Sequence, residues 1–304
     1  MEDLGGHRLS RRFVGLFSVY AGDQPDYLFQ TLWTVLRYQL RPLDACVGVI
    51  EGELSAELEH VIAEFSEVEW LRIPKVINEL QFGLPAALNH GLNHLNSGDV
   101  VLKVDTDDLY PNDRVLRTLQ AWAEQPKLGL YGGQIEEWTP DFATYMGTRS
   151  VPLEHDEIIG YARRRNPMNG PTVAFDRDSA LEVGGFAHVG ANEDYVMWSA
   201  LLARGILAAN DDQTLAHMRG GPELVRRRST ARTRKGEVEA LKAIRAIGIF
   251  SRRTYYSHLV GKQIVRRMPL AWNRYLYQWL REPGWRPQPD VVADALAALN
   301  QWNP

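Results

Sequence analysis

The chain has 304 residues, 45% of them apolar, a formal net charge of −4 and a single cysteine. That length supports one large α/β domain or a domain with a helical appendage. The charge gives no global signal for nucleic acid or another polyanion, and one cysteine excludes a disulfide framework or a cysteine-based zinc site. Cys46 lies in an apolar run and reads as a buried core thiol, which suits a reducing cytoplasm.

The opening residues MEDLGGHRLSRRF carry no apolar signal stretch. No window approaches the roughly 18 apolar residues of a membrane span, so a soluble or at most peripheral protein is expected. Charge is unevenly placed. Residues 1–160 hold most of the acids, while Arg163 to Arg165, Arg226 to Arg228, Arg252-Arg253 and Arg266-Arg267 make the second half basic. An anionic partner or ordinary helix-surface arginine both account for this.

Phe13 to Tyr20 predicts the first strand, Ala21 to Gln24 a turn, and Pro25 the first residue of a helix with apolar Leu28, Leu32, Val35 and Leu36 at helical spacing. A second strand over Asp44 to Ile50, a helix over 54–65, a strand over 69–73 and a helix over Leu84 to Leu95 follow. Short apolar strands alternating with helices predict a parallel sheet with right-handed crossovers.

The next strand, 99–104, runs into Asp105, Asp107 and Asp108 within four residues. Ligands bind at the carboxyl edge of such a sheet, and crowded carboxylates there are hard ligands suited to Mg2+ or Mn2+. The same residues also fit a solvated acidic turn, with Asp108 capping a helix over 111–125 and Pro111 in its first turn. An EF-hand loop fits poorly because Leu109 and Tyr110 occupy its fifth position and its glycine. Lys103 shares a strand face with Asp105, where it serves either a diphosphate site or the solvated strand end.

Beyond residue 125 the pattern shortens. Leu128 to Gly133, Ile135 to Trp138, Thr144 to Val151 and Thr172 to Phe175 read as strands of a mixed sheet edge. Asp176 caps a helix over Ser179 to Val183 that closes at Gly184-Gly185. Glu193 to Leu202 is a helix with two acids in its first turn, placed well for the dipole. His217 follows a strand-like segment. From about residue 222 the chain is helical, and residues 262–281 mix arginines with Trp272, Tyr275, Tyr277 and Trp279. That segment fits an anionic membrane surface or packing on the main domain.

Taken together, four stretches resemble the inverting family 2 glycosyltransferases of GT-A fold, and among them the exopolysaccharide enzymes typified by amylovoran biosynthesis. They are Ser18-Val-Tyr20 with Pro25 to Leu28; Gly83 to Leu92; Lys103-Val-Asp-Thr-Asp-Asp108 as a DxD motif; and Asn166 to Asn169 through Phe175, Gly184-Gly-Phe186 and Glu193-Asp-Tyr195. The ordered set over roughly residues 13–220 is far more specific than any one motif.

The resemblance implies a Rossmann-like, mainly parallel sheet flanked by helices, residues 13–221 forming the catalytic domain. Within it residues 13–110 take the nucleotide sugar and 111–221 the acceptor; residues 1–12 are a tail and 222–304 a helical extension. The sugar nucleotide, a UDP-sugar by expectation, lies across the carboxyl ends of strands one, two and four. Tyr20, Glu51, Lys103, Asp105 and Arg219 are its implied contacts, Glu51 standing where the family usually has an aspartate for the base. Asp107 with Asp105 is the implied Mn2+ or Mg2+ site, His217 a third ligand, and Arg219 with Arg226 to Arg228 a lid. Asp194 is the implied general base, assisted by Glu193, for a hydroxyl of a glycan or lipid-linked acceptor. Trp138 and Trp198 are sugar-stacking candidates or core residues. A nucleotidyltransferase is disfavoured because Tyr20 to Pro25 holds no Gly-rich, Arg-containing phosphate loop; a non-catalytic sugar-nucleotide or glycan-binding protein is the other alternative.

Overall fold

The structure is a computed structural model that describes residues 11–73, 83–221, 230–267, 284 and 286–302. Its first half is built as the apolar runs dictate. Strand β1 (Phe13–Tyr20) is buried at every residue but the last, and β2 (Ala45–Glu51) at all but the first, as strands covered on both faces must be. β2 pairs in parallel with β1, with Tyr20 opposite Glu51, and β3 (Glu69–Ile73) extends the sheet as a less buried edge. β4 (Val100–Lys103) runs parallel on the other side of β1.

Helices α1 (Pro25–Leu36), α2 (Ala56–Glu64) and α3 (Leu84–His94) make the crossovers. Pro25 starts α1, and the Ser55 hydroxyl caps α2 by accepting from the Leu58 amide at 3.3 Å. Gly91 lets α3 lie directly on the sheet: a Cβ there would stand 2.4 Å from Leu16 Cδ1 and 3.0 Å from Val49 Cγ2.

The second half mixes directions. Helix α4 (Arg114–Glu124) buries Val115, Thr118 and Trp122, the indole meeting Phe13 and Tyr131 edge-on. β5 (Leu128–Trp138) is a single strand where two are expected. Gly132 and Gly133 do not interrupt it; they make room for Asn210, Thr172 and Leu215 against the backbone at its register shifts. β6 (Tyr145–Arg149) and β7 (Ala174–Asp176) are antiparallel to β5, whereas β8 (Leu207–Arg219) is parallel to it. The order is β3-β2-β1-β4-β7-β5-β6, with β8 paired to β5. α5 (His155–Ala162) and the 3₁₀ turn Gly170–Thr172 precede β7. α6 (Arg177–Glu182) is capped by Asp176 as predicted, its carboxylate accepting from Ser179 N at 2.8 Å. α7 (Glu193–Ala203) packs behind them.

The helix expected over 111–125 begins only at Arg114, and Asp108 is not its cap. Asp108 is buried instead, its Oδ1 accepting from the amide of Arg219 at 3.1 Å. α8 (Ala231–Ile247), α9 (Arg252–Arg267) and α10 (Asp290–Trp302) complete the described residues. α8 packs on α7 and α10 on α1, where Trp302 stacks on Phe29, so these two helices lean on both halves. Cys46 is buried, which pushes its thiol up to about 12. No helix among the described residues is long and apolar enough to cross a membrane.

Candidate active site

Strand order reverses between β1 and β4, so the crevice for a ligand opens at their carboxyl ends. Tyr20 ends β1 at the rim, 46% exposed, and Glu51 ends the neighbouring β2 while buried. Glu51 Oε2 accepts from the Gly83 amide at 3.0 Å; burial raises its carboxyl, and this bond together with one from Ser18 opposes the rise. In the turn after β1, Asp23 accepts from the Tyr20 amide at 3.0 Å and from the Thr106 hydroxyl at 3.3 Å. Burial, and then the nearby Asp107 and Glu51 carboxylates, push Asp23 up to about 7. Three carboxylates therefore share this corner, and Asp23 is the one the sequence reading missed.

Beyond β4 the acidic loop is held from below. The Asp105 amide donates to Tyr110 Oη at 2.8 Å. Arg114 lies 4.1 Å over the Tyr110 ring and donates to the Lys103 carbonyl at 2.6 Å and the Pro171 carbonyl at 2.9 Å. The Thr31 hydroxyl donates to the Asp108 carbonyl at 2.7 Å. Burial, followed by Asp107 and Asp105, raises the Asp108 carboxyl well above its ordinary value.

Arg219, expected over a diphosphate, is instead fastened beneath the loop. Its side chain donates to the Asp107 carbonyl, the Gln30 amide oxygen and the Pro140 carbonyl. Its guanidinium lies 4.0 Å from the Tyr27 ring centroid and 4.7 Å from that of Phe142. His217 sits inside β8, its backbone bridging Leu109 and its Nδ1 3.2 Å from Glu136 Oε2. Trp138 and Trp198 are buried core residues. Arg226 to Arg228 and most of residues 262–281 lie outside the described residues.

The second acidic pair comes from α7. Asn192 enters that helix with φ +61°, and Glu193 and Asp194 follow in its first turn. Asp194 Oδ1 accepts from the Tyr195 amide at 2.6 Å and Oδ2 from Asn166 Nδ2 at 3.2 Å. A Cβ on Gly170 would come within 3.1 Å of that Oδ2, so the glycine leaves the carboxylate room. Burial raises Asp194, opposed first by Lys103; burial and then Asp194 raise Glu193 to about 7. Arg149, held by Asn169 Oδ1 at 2.8 Å, also favours the ionised Asp194.

Lys103 joins the two halves. It is 5% exposed, and its ammonium donates to Asp105 Oδ1. Burial alone would lower it; Asp105, with Asp194 and Glu193 beyond, carries it above its ordinary value. The loop acids and the α7 acids, some ninety residues apart in sequence, thus flank one buried cation.

Among the described residues, no group of three or more His, Cys, Asp or Glu side chains is arranged to hold a metal ion unaided. Mg2+ and Mn2+ commonly take only one or two carboxylates, the rest coming from substrate phosphates and water. The corner fits that mode. Asp105 has Lys103 for a partner, and the Asp107 carboxylate near Asp23 raises the cost of ionising Asp23, a repulsion that a divalent cation relieves.

The profile of a family described as "Glycosyl transferase family 2" matches residues 19–183. Three relatives are similar over most of the chain. An "Uncharacterized glycosyltransferase" of Haemophilus influenzae is 32% identical over 238 residues, covering 78% of this chain and 87% of the relative. The "UDP-Gal:alpha-D-GlcNAc-diphosphoundecaprenol beta-1,3-galactosyltransferase" of Escherichia coli is 27% identical over 88% of this chain and 95% of its own. The "Amylovoran biosynthesis glycosyltransferase AmsE" of Erwinia amylovora is 29% identical over 88% and 98%. The mannosyltransferase PcManGT of Pyrobaculum calidifontis, solved with GDP-Man and Mn2+, superposes with a TM-score of 0.53 at 15% identity, over 96% of this chain and 87% of that one. The architecture is GT-A, as the sheet order and this likeness agree.

Proposed function

Because the chain belongs to glycosyl transferase family 2, we propose that it moves a sugar from a nucleotide-sugar donor to a hydroxyl of a glycan or lipid-linked acceptor, inverting the anomeric carbon. The observation that carries this reading is the buried Lys103 flanked by Asp105 and by Glu193-Asp194. A leaving-group site and a nucleophile site then share one crevice. A UDP-sugar donor and a lipid-linked acceptor are favoured by the name of the E. coli relative, and cell-surface polysaccharide assembly by that of the Erwinia relative.

The donor lies across the ends of β1, β2 and β4, with Tyr20 at the rim and Glu51 beneath the base. Asp107, with Asp23 beside it, is the site for Mn2+ or Mg2+; such an ion, when bound, neutralises charge on the departing diphosphate. Arg219 and the Tyr110–Arg114 stack keep the acidic loop in place for that contact. Asp194 accepts the proton of the acceptor hydroxyl, and the oxygen forms its bond to the anomeric carbon. The carbon–oxygen bond to the diphosphate breaks on the opposite face, and its electron pair leaves with the diphosphate. A single displacement inverts the centre. A carboxyl raised by burial is a better base for this step than an exposed aspartate.

The test is a thermal-shift screen of UDP-, dTDP- and GDP-sugars with and without Mn2+, followed by transfer assays with the selected donor. Asp194→Asn is expected to keep donor stabilisation and lose about 100-fold or more of transfer; Asp107→Ala is expected to lose the Mn2+-dependent stabilisation. Full transfer by both variants overturns the assignment.

A further inference from the structure

Gly236 is buried within α8, away from either end of the helix, although glycine is the poorest non-proline helix former. A mid-helix glycine needs a packing reason, and one is present. A Cβ at Gly236 would stand 2.3 Å from the Gly190 carbonyl carbon, 2.4 Å from the Ala191 amide nitrogen and 2.4 Å from Gly190 Cα. All three are backbone atoms, so no rotamer change makes way. The loop they belong to ends at Asn192, whose left-handed φ of +61° turns the chain into Glu193 and Asp194.

At helical spacing from Gly236 come Ala240 and Ile244, both buried, so the face that meets the loop at Gly236 continues along the helix. Tyr195 and Val196, the residues directly after the acids, pack with Ala240, Leu241, Ile244, Phe250 and Tyr255, while Ala187 and Val189 of the loop join the same cluster. Tyr195 Oη donates to the Ala162 carbonyl at 2.5 Å, which fixes the far side of the helix start. The other end of the loop is pinned by Asn89, bonded both ways to the Phe186 backbone at 2.8 Å.

We infer that Gly236 is a positioning residue for the reaction: α8 bears on the loop at Gly190-Ala191 and thereby sets where the first turn of α7 presents Glu193 and Asp194. The inference rests on the proposed role of that pair. It makes α8 part of the acceptor-side machinery, acting through backbone contact and never touching substrate.

The experiment compares Gly236→Ala with Gly261→Ala, a control at a helical glycine where an added Cβ meets nothing within 4 Å. Gly236→Ala is expected to lower kcat for transfer at least 10-fold and to raise amide exchange over residues 187–194, while donor KM and donor-induced stabilisation stay within 2-fold of wild type. Leu241→Ala, which loosens the same seam by removing side-chain packing rather than adding an atom against the Gly190-Ala191 backbone, is measured in parallel and is expected to show a smaller loss with the same split. If donor binding falls together with transfer in the variant that folds, or if neither kcat nor exchange moves, the positioning role is overturned. If wild type transfers from no donor, the glycosyltransferase reading fails instead, and exchange over 187–194 still decides the contact because it needs no substrate.

Discussion

The ammonium of Lys103 donates a hydrogen bond to the carboxylate of Asp105, two residues on and at the mouth of the same strand. The lysine side chain is 6% exposed and the aspartate 30%. Removing one member of a buried ion pair strands the other charge, typically at about 3 kcal/mol or more. Lys103→Met is therefore expected to cost about 3 kcal/mol of stability, the lower end of that range because Asp105 remains partly solvated. It also withdraws the cation that holds Glu193 and Asp194 toward their ionised forms. Transfer is expected to fall at least about 100-fold, beyond what lost stability explains. Denaturant unfolding and kcat/KM measured on the same samples separate the two effects.

The raised carboxyls make stability fall with rising pH. Glu193 titrates near 4.5 when unfolded and at about 7 when folded, with burial the main cause and Asp194 the next. Between those values the folded protein binds more protons than the unfolded chain, so this contribution is fully present below about 4.5 and is lost as pH rises through about 7. Asp23, moving from 3.8 to about 7, acts in the same direction. The melting temperature of wild type is expected to fall more steeply from pH 5 to pH 7.5 than that of Glu193→Gln or Asp23→Asn. Parallel profiles for all three proteins contradict the assignment.

Arg219 connects the last strand to the acidic loop, and its value lies in shape. The planar fork serves the Asp107 and Pro140 carbonyls and the Gln30 amide oxygen while lying against Tyr27 and Phe142. Lysine has the charge without the fork. Arg219→Lys is expected to weaken nucleotide-sugar binding in Mn2+ by about 10-fold, on the scale of one or two lost charge-assisted bonds, and to increase amide exchange over residues 105–109. Phe142→Ala, which removes one face of the stack and part of the packing beneath Val291 and Val292, is expected to reproduce the exchange change. Calorimetry with and without Mn2+ and exchange mapping check both.

What was legible in the chain follows from how local its causes are. The strands and helices as far as β4 carry continuous apolar runs and helical spacing, and their order alone predicts the parallel half. β8 was legible only as a strand-like segment before His217, because Asn210-Asp-Asp-Gln213 interrupts its alternation; the irregularity is absorbed by register shifts against β5. Asp108 reads as a helix cap from its neighbours, yet its partner is an amide 111 residues away. The acids of the site were visible as strand-end and helix-start carboxylates. Their meeting around Lys103 was not, since only the folded sheet and α7 bring them together. Asp23 escaped notice for a related reason: an aspartate in a turn is ordinary, and its burial against Thr106 is set by the acidic loop.

The Gly184-Gly185-Phe186 motif separates backbone strain from packing. Both glycines have positive φ, +92° and +67°, a region that costs a side-chain-bearing residue about 1 kcal/mol or more. At Gly184 an added Cβ meets nothing within 4 Å, so Gly184→Ala is expected to cost only that strain. At Gly185 the Cβ would lie 2.3 Å from Asn89 Oδ1. That oxygen accepts from the Phe186 amide while Asn89 Nδ2 donates to the Phe186 carbonyl, both at 2.8 Å. Gly185→Ala must therefore push Asn89 out of two bonds at about 1 kcal/mol each, for a total of about 3 kcal/mol. Asn89→Ala removes the obstacle along with the bonds, so the double variant is expected to be less destabilised than the sum of the singles. Urea unfolding of the four proteins measures the cycle; strict additivity contradicts the clash.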